Sequence, residues 1–204
     1  MVTSGRTARG ETQQLLSLLE ITRRASCIRL LLTDCDGVLT DGGVFYSDAG
    51  EAMKCFSIRD GMGVELLRDA GIDTGIISGE HSGSVQRRAE KLALPYVFLG
   101  IRNKREFLQT LLTRTSVTLN QLAYIGDDVN DLDLMLTIGE SGLISAPSDA
   151  LPAVREIVHH HCTLGGGKGA FREFADWILY HRVTEARPSG TGTSILSLHS
   201  HHNG

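Results

Sequence analysis

An α/β fold with a parallel, doubly wound sheet is predicted by three features of this sequence. Short apolar runs recur along the chain, each the length of a strand buried on both faces. Between them lie stretches with helical periodicity, so strands alternate with helices and must join through parallel crossovers. Several of the runs also stop abruptly at small or acidic residues, as in Leu-Leu-Leu-Thr-Asp34-Cys-Asp36-Gly and Tyr-Ile-Gly-Asp127-Asp128.

Each element follows in order. Leu15, Leu16, Leu18, Leu19 and Ile21 make an apolar stripe that predicts a helix over 11–25. Residues 28–33 form the first strand. Residues 43–57 alternate loosely around Ser47-Asp-Ala-Gly50 and read as a β-hairpin. Asp60 can cap a helix over 61–71 that Gly71 ends. A strand at 74–77 precedes Ser78-Gly79 and a helix over 82–93. A strand at 96–99 leads to a helix over 103–114. A strand at 122–125 leads through Gly126-Asp127-Asp128 to a helix over 129–138. A strand at 142–145 stops before Pro147, a short helix covers 149–155, and a last helix covers 169–182. The division expected is an N-terminal tail and helix (1–25), one domain (26–182) and a Pro/Gly/Ser/Thr-rich disordered tail (183–204).

Composition bounds the function. The chain has 204 residues, 41% of them hydrophobic and 22% charged, as in an ordinary globular domain. A net charge of −4 gives no general attraction to nucleic acid or anionic membrane. No apolar run reaches the roughly 20 residues of a membrane helix. The N-terminal residues lack the apolar core of a signal peptide, so a cytoplasmic protein is expected. Cysteines 27, 35, 55 and 162 show no paired metal spacing and fit reduced thiols.

The chemistry lies at the strand tips. Ligands in open α/β sheets bind past the carboxyl ends of the strands. There the first strand offers Asp34 and Asp36, the second Ser78 with Gly79, the third Lys104, and the fourth Asp127, Asp128 and Asp131. Two acids at a buried strand tip are costly unless a cation offsets their charge. Mg²⁺ prefers one or two carboxylates plus water and phosphate oxygens. One Asp-x-Asp commonly caps a turn, but four such tips in this order point to phosphate chemistry.

Asp34-x-Asp36-Gly-Val-x-Thr40, Ser78, Lys104 and Gly126-Asp127-Asp128-x-Asn130-Asp131 resemble the motifs of the haloacid-dehalogenase (HAD) superfamily of phosphohydrolases over roughly residues 26–182. The resemblance implies a Rossmann-like core with Asp34 as nucleophile and Asp36 as general acid/base. It also implies Mg²⁺ held by Asp34, the Asp36 backbone carbonyl and Asp127. Ser78 and Lys104 would bind the phosphoryl oxygens, and Asp128 and Asp131 would orient the loop. Asp36 favours phosphate over carbon–halogen chemistry, since only an alkoxide leaving group needs a proton.

About 20 residues separate Asp36 from Arg59-Asp60-Gly61, too few for a large cap domain. The hairpin, this step and Gly165-Gly-Gly-Lys168-Gly-Ala-Phe-Arg172-Glu173 resemble the cap-less branch of 3-deoxy-manno-octulosonate (Kdo) 8-phosphate and keto-deoxy-nononate (KDN) 9-phosphate phosphatases. That implies a homotetramer in which a neighbouring subunit covers each site. The substrate would be a phosphorylated 2-keto-3-deoxy sugar acid, Kdo 8-phosphate or a KDN or N-acetylneuraminate 9-phosphate. Glu80 and Lys91 resemble a pair associated with nine-carbon substrates, and Arg59 or Lys168 could bind the sugar-acid carboxylate. The alternatives are the same chemistry on another small phosphate, a phosphotransferase, and a silent oligomerisation domain. The glycine run 165–169 lacks a phosphate-loop pattern and reads as a flexible segment reaching the site or a neighbour. His159-His160-His161-Cys162 reads as a surface run, because adjacent residues do not readily converge on one ion.

Overall fold

The computed structural model describes residues 16–184. The expected N-terminal tail, the first residues of the helix expected over 11–25 and residues 185–204 lie outside that range. Among these residues eight strands, seven α-helices and a 3-10 turn (Leu119–Gln121, before β6) follow one another as α1 (Leu18–Cys27), β1 (Leu30–Thr33), β2 (Phe45–Ser47), β3 (Gly50–Met53), α2 (Ile58–Asp69), β4 (Asp73–Ile77) and α3 (Gly83–Lys91), then β5 (Tyr96–Phe98), α4 (Lys104–Thr115), β6 (Leu122–Ile125), α5 (Leu132–Gly139), β7 (Leu143–Ala146), α6 (Pro152–Arg155), β8 (His160–His161) and α7 (Ala170–Thr184).

Six strands form one sheet in the order β5-β4-β1-β6-β7-β8, and every neighbouring pair is parallel. This is the predicted doubly wound α/β sheet. Its centre is β1, which runs Leu-Leu-Leu-Thr with every residue buried. Side chains alternate between faces, as the pleat requires. Leu31 packs among Ala25, Val64, Leu67, Phe171 and Phe174, whereas Leu30 and Leu32 pack among Leu108, Leu111, Leu134 and Ile138. Helices α1, α2 and α7 therefore cover one face, and α4 and α5 the other.

The winding direction reverses at β1. The chain moves outward through β4 and β5, then α4 carries it back across to β6. Thr33 is level with Ile76 of β4 and Ile125 of β6, so the three tips end together. That reversal opens a crevice past their carboxyl ends. The hairpin β2–β3 stands apart as a two-stranded sheet, and no large cap is present among the described residues.

Several boundaries differ from expectation for local reasons. Asp60 does not cap α2. Ser57 does, its Oγ accepting from the Arg59 amide, while Asp60 is buried in the first turn and its Oδ1 accepts from the Arg172 amide. Gly71 does end that helix. It has φ +74°, its amide reaches Arg68 O and the Ile72 amide reaches Leu67 O, with both apolar side chains buried. α5 starts at Leu132 rather than 129, because the Asp131 side chain is committed to the preceding loop. His160 and His161 form an edge strand rather than a surface run, with His159 and His160 half-buried.

Candidate active site

Asp34 leaves β1 at the switch point with its amide on Ile125 O of β6, and it is 5% exposed. Lys104, the first residue of α4, is 1% exposed and reaches across to it. The lysine Nζ contacts Asp34 Oδ1, lies 2.6 Å from Asp131 Oδ1 and donates to Tyr124 Oη at 3.1 Å. Burial alone would lower the lysine pKa. The facing Asp34 and Asp131 carboxylates outweigh it and keep the ammonium charged. Burial pushes the Asp34 carboxyl upward, and Lys104 pulls it back.

Asp131 is fully engaged. Its Oδ1 accepts from Lys104 and from Tyr124 Oη at 2.6 Å, and its Oδ2 accepts from the Asp127 and Asp128 amides at 3.0 and 3.3 Å. It ties the loop after β6 to α4. Asp128 is exposed and bonds locally to the Val129 amide.

Asp127 is different. Its Oδ1 is buried and has no hydrogen-bond partner, and burial together with Asp34, Asp131 and Asp128 pushes its pKa up to about 8. Carboxylate oxygens of Asp34, Asp127 and Asp131 lie within 4.8 Å of one another. With Asp131 consumed by donors, Asp34 and Asp127 are left facing each other. A buried carboxylate oxygen without a donor, beside a second carboxylate, fits a hard divalent cation. Gly37 makes the approach possible. It has φ +97°, and a Cβ there would lie 1.9 Å from Asp127 Oδ2.

The crevice at these tips, about 290 Å³, is lined by Asp34, Asp36, Ser78, Gly79, Glu80 and Asp127 among others. Ser78 Oγ accepts from the Glu80 amide, and Glu80 is exposed at the rim. Some predicted substrate residues lie elsewhere. Lys91 is the last residue of α3, at the end of the helix remote from the strand tips, and no ion pair joins it to Glu80 among the described residues. Arg59 is exposed at the start of α2 beside Gly169. Lys168 is exposed, 3.7 Å from Asp41 Oδ2. Neither lines the crevice.

The segment 163–169 reaches the site but is held throughout. The Gly166 amide donates to Asp149 Oδ1, the Gly167 amide donates to Val38 O, and a Cβ at Gly166 would lie 2.0 Å from Gly37 O. Gly166 and Gly167 are there because backbone packs on backbone, against Gly37, Thr40 and Asp41.

Sequence reasoning missed Lys54. Its side chain is 1% exposed, its Nζ lies 2.6 Å from both Asp36 oxygens and 3.7 Å from Glu51 Oε2. Burial would lower its pKa, but Asp36 outweighs this and raises it. Glu51 in turn accepts from Ser82 Oγ, the N-cap of α3. Thr40 and Tyr124 were also missed as partners of Asp36 and Asp131. The available signal was a lysine in an otherwise apolar alternation just past the hairpin.

Fold and site together define a phosphohydrolase of the haloacid-dehalogenase superfamily. Among protein-family models, none matches the chain. The 3-deoxy-D-manno-octulosonate 8-phosphate phosphatase of Haemophilus influenzae is 43% identical over 152 residues, covering 74% of this chain and 83% of that protein. The cobalt-bound structure of the phosphatase from the same organism superposes with a TM-score of 0.74 at 40% identity, over 78% of this chain and 92% of that one. The Moraxella catarrhalis phosphatase in complex with magnesium, phosphate and KDO gives 0.74 at 34% identity, over 81% and 93%. The chain belongs to this Kdo 8-phosphate phosphatase family of HAD-type phosphoric monoester hydrolases.

Proposed function

We propose that this chain hydrolyses the phosphate of 3-deoxy-D-manno-octulosonate 8-phosphate, with Mg²⁺ held by Asp34, Asp127 and the Asp36 carbonyl. The observation that carries the reading is the unpartnered, buried Asp127 Oδ1 beside Asp34. A bound divalent cation supplies charge neutralisation between a carboxylate nucleophile and a dianionic phosphate.

The residues then divide the work. Asp34 Oδ attacks phosphorus, forming an aspartyl-phosphate as the bond to the sugar oxygen breaks. Asp36 gives that oxygen a proton and later takes one from the water that opens the acyl phosphate. Lys104 and Ser78 hold equatorial oxygens as charge spreads over them. Asp131 and Tyr124 fix Lys104, and Lys54 fixes Asp36. Relatives named for Kdo 8-phosphate support the eight-carbon substrate. Glu80 at the crevice rim favours a second reading, a nine-carbon acid whose extra hydroxyls it would meet.

The hairpin supports assembly. Phe45, Tyr46 and Met53 are 60%, 75% and 58% exposed on a two-stranded sheet with no partner strand among the described residues. We read this as the surface where copies of the chain meet in a homotetramer, bringing a neighbour over each crevice. No helix among the described residues is long and apolar enough to cross a membrane.

The deciding experiment compares kcat/KM for Kdo 8-phosphate, KDN 9-phosphate and N-acetylneuraminate 9-phosphate, with Mg²⁺ and with EDTA. Highest turnover on the first, abolished by EDTA, is expected. Equal or higher turnover on either nine-carbon acid would overturn the eight-carbon substrate. No phosphate release from any of them, with tetramers intact, would favour the silent domain.

A further inference from the structure

We propose that His160, Cys162 and Glu173 form a second metal site, which takes one zinc-class transition-metal ion and lies apart from the Asp34–Asp127 pair. The run His159-His160-His161-Cys162 cannot bind an ion through adjacent residues. Strand β8 changes that. Alternate residues of an extended segment share a face, so His160 and Cys162 point the same way. Glu173, in the first turn of α7, faces them. One ligand atom from each of the three lies within 4.8 Å of the other two. A tetrahedral zinc site, with bonds of about 2.0–2.3 Å, has ligand-to-ligand edges of about 3.3–3.8 Å. His160 Nε2 and Glu173 Oε1 are 3.7 Å apart, already such an edge and too long for a hydrogen bond.

Three further observations support a ligand role. His160 Nε2 is buried and makes no hydrogen bond. Its ring is fixed by stacking on Trp177 at 4.9 Å and Phe174 at 6.1 Å, so little freedom is lost on binding. Glu173 is oriented by the Thr163 amide and hydroxyl and the Leu164 amide, which fill Oε2 and leave a lone pair on Oε1, the oxygen nearest His160.

Cys162 Sγ lies 3.3 Å from Ser145 Oγ and 3.4 Å from Ala170 O. As a thiol it donates to the carbonyl. On binding, the S–H bond breaks, the proton leaves to solvent, and the sulfur pair forms the metal bond. The Ser145 hydroxyl then donates to the sulfur. Thiolate with imidazole selects zinc or cobalt over magnesium. The side chains of His160 and Glu173 are 18% and 21% exposed, which places the cluster just beneath the surface, with His160 Nε2 itself covered. Cys162 and Glu173 bracket the glycine segment packed on Val38, so the ion would fasten the base of a loop that shapes the active site.

The test titrates Co²⁺ into the full chain in excess Mg²⁺ and reads the near-ultraviolet thiolate-to-cobalt charge-transfer band. The carboxylates at Asp34 and Asp127 cannot produce that band. We expect one saturating transition that Cys162→Ser abolishes, that Cys55→Ser leaves unchanged and that His160→Ala weakens at least tenfold in Kd. Circular dichroism confirms that each variant is folded, and His160→Ala decides alone if Cys162→Ser is not. No band, a band surviving Cys162→Ser, or an unchanged Kd in His160→Ala would overturn the site.

Discussion

Lys54 Nζ sits 2.6 Å from both carboxylate oxygens of Asp36, from a side chain 1% exposed. The lysine comes from the strap leaving the hairpin, so an element outside the main sheet fixes the group proposed to move the protons. Without the ammonium, Asp36 would turn to Thr40 Oγ1, now at 3.3 Å, or to water. Methionine matches the lysine stem and brings no charge. Lys54→Met is expected to lower kcat about 10²-fold, the size of a general acid/base contribution. Steady-state kinetics beside circular dichroism checks it, and wild-type kcat in a folded variant would remove Lys54 from the mechanism.

Gly37 cannot be replaced without moving Asp127. Its φ of +97° strains any L side chain, and the new Cβ would lie 1.9 Å from Asp127 Oδ2. The backbone strain alone costs about 1–3 kcal/mol. Disturbing a group that holds a metal ligand in place costs about 10–100-fold in affinity or activity. Gly37→Ala should therefore raise the Kd for Mg²⁺ by at least tenfold, measured by calorimetry. Unchanged affinity would mean that Asp127 is not a ligand.

Asp127 also sets a pH dependence. In the metal-free protein its pKa is pushed up to about 8 from an ordinary 3.8, by burial and by the neighbouring acids. A carboxyl with a raised folded-state pKa stabilises the fold fully below pH 3.8, and that contribution is lost as pH rises to about 8. The cation binds the ionised form and so displaces a proton. Metal-free Tm should fall between pH 6 and 8. The Tm gain from Mg²⁺ should be larger at pH 8 than at pH 6. Scanning calorimetry with EDTA or Mg²⁺ reads both, and a gain independent of pH would contradict the link.

The strands and the four tip motifs were legible because each is a local pattern. An apolar run ending in Asp-x-Asp-Gly needs no distant partner to be recognised. Gly71 was legible for the same reason, since it ends α2 through its own φ. What could not be read depends on residues far apart in sequence. Asp60 looks like a cap until α7 places the Arg172 amide on it. Lys54 looks like a surface lysine until the hairpin folds back by 18 positions to Asp36. His160 looks exposed until Trp177 stacks on it. Lys91 shows the opposite case. A sequence likeness drew it toward substrate, but it is the last residue of α3 and does not line the crevice.

The sharpest separation of roles comes from the two acids themselves. Asp34 is proposed to bond phosphorus directly, and Asp36 only to move protons. Asn in place of Asp34 keeps the size and can still accept from Lys104, so the fold should survive. The amide is no nucleophile, and turnover should vanish to background. Asn in place of Asp36 leaves the attack possible but removes the proton from both halves of the reaction. Its kcat should fall by about 10²–10⁴. The second half needs a base to activate water, so aspartyl-phosphate should accumulate. Rapid acid quench with labelled phosphate measures it: trapped label on Asp36→Asn and none on Asp34→Asn is expected. Substantial turnover by Asp34→Asn would refute the nucleophile. Label trapped on Asp34→Asn would place the phosphoryl group on another residue.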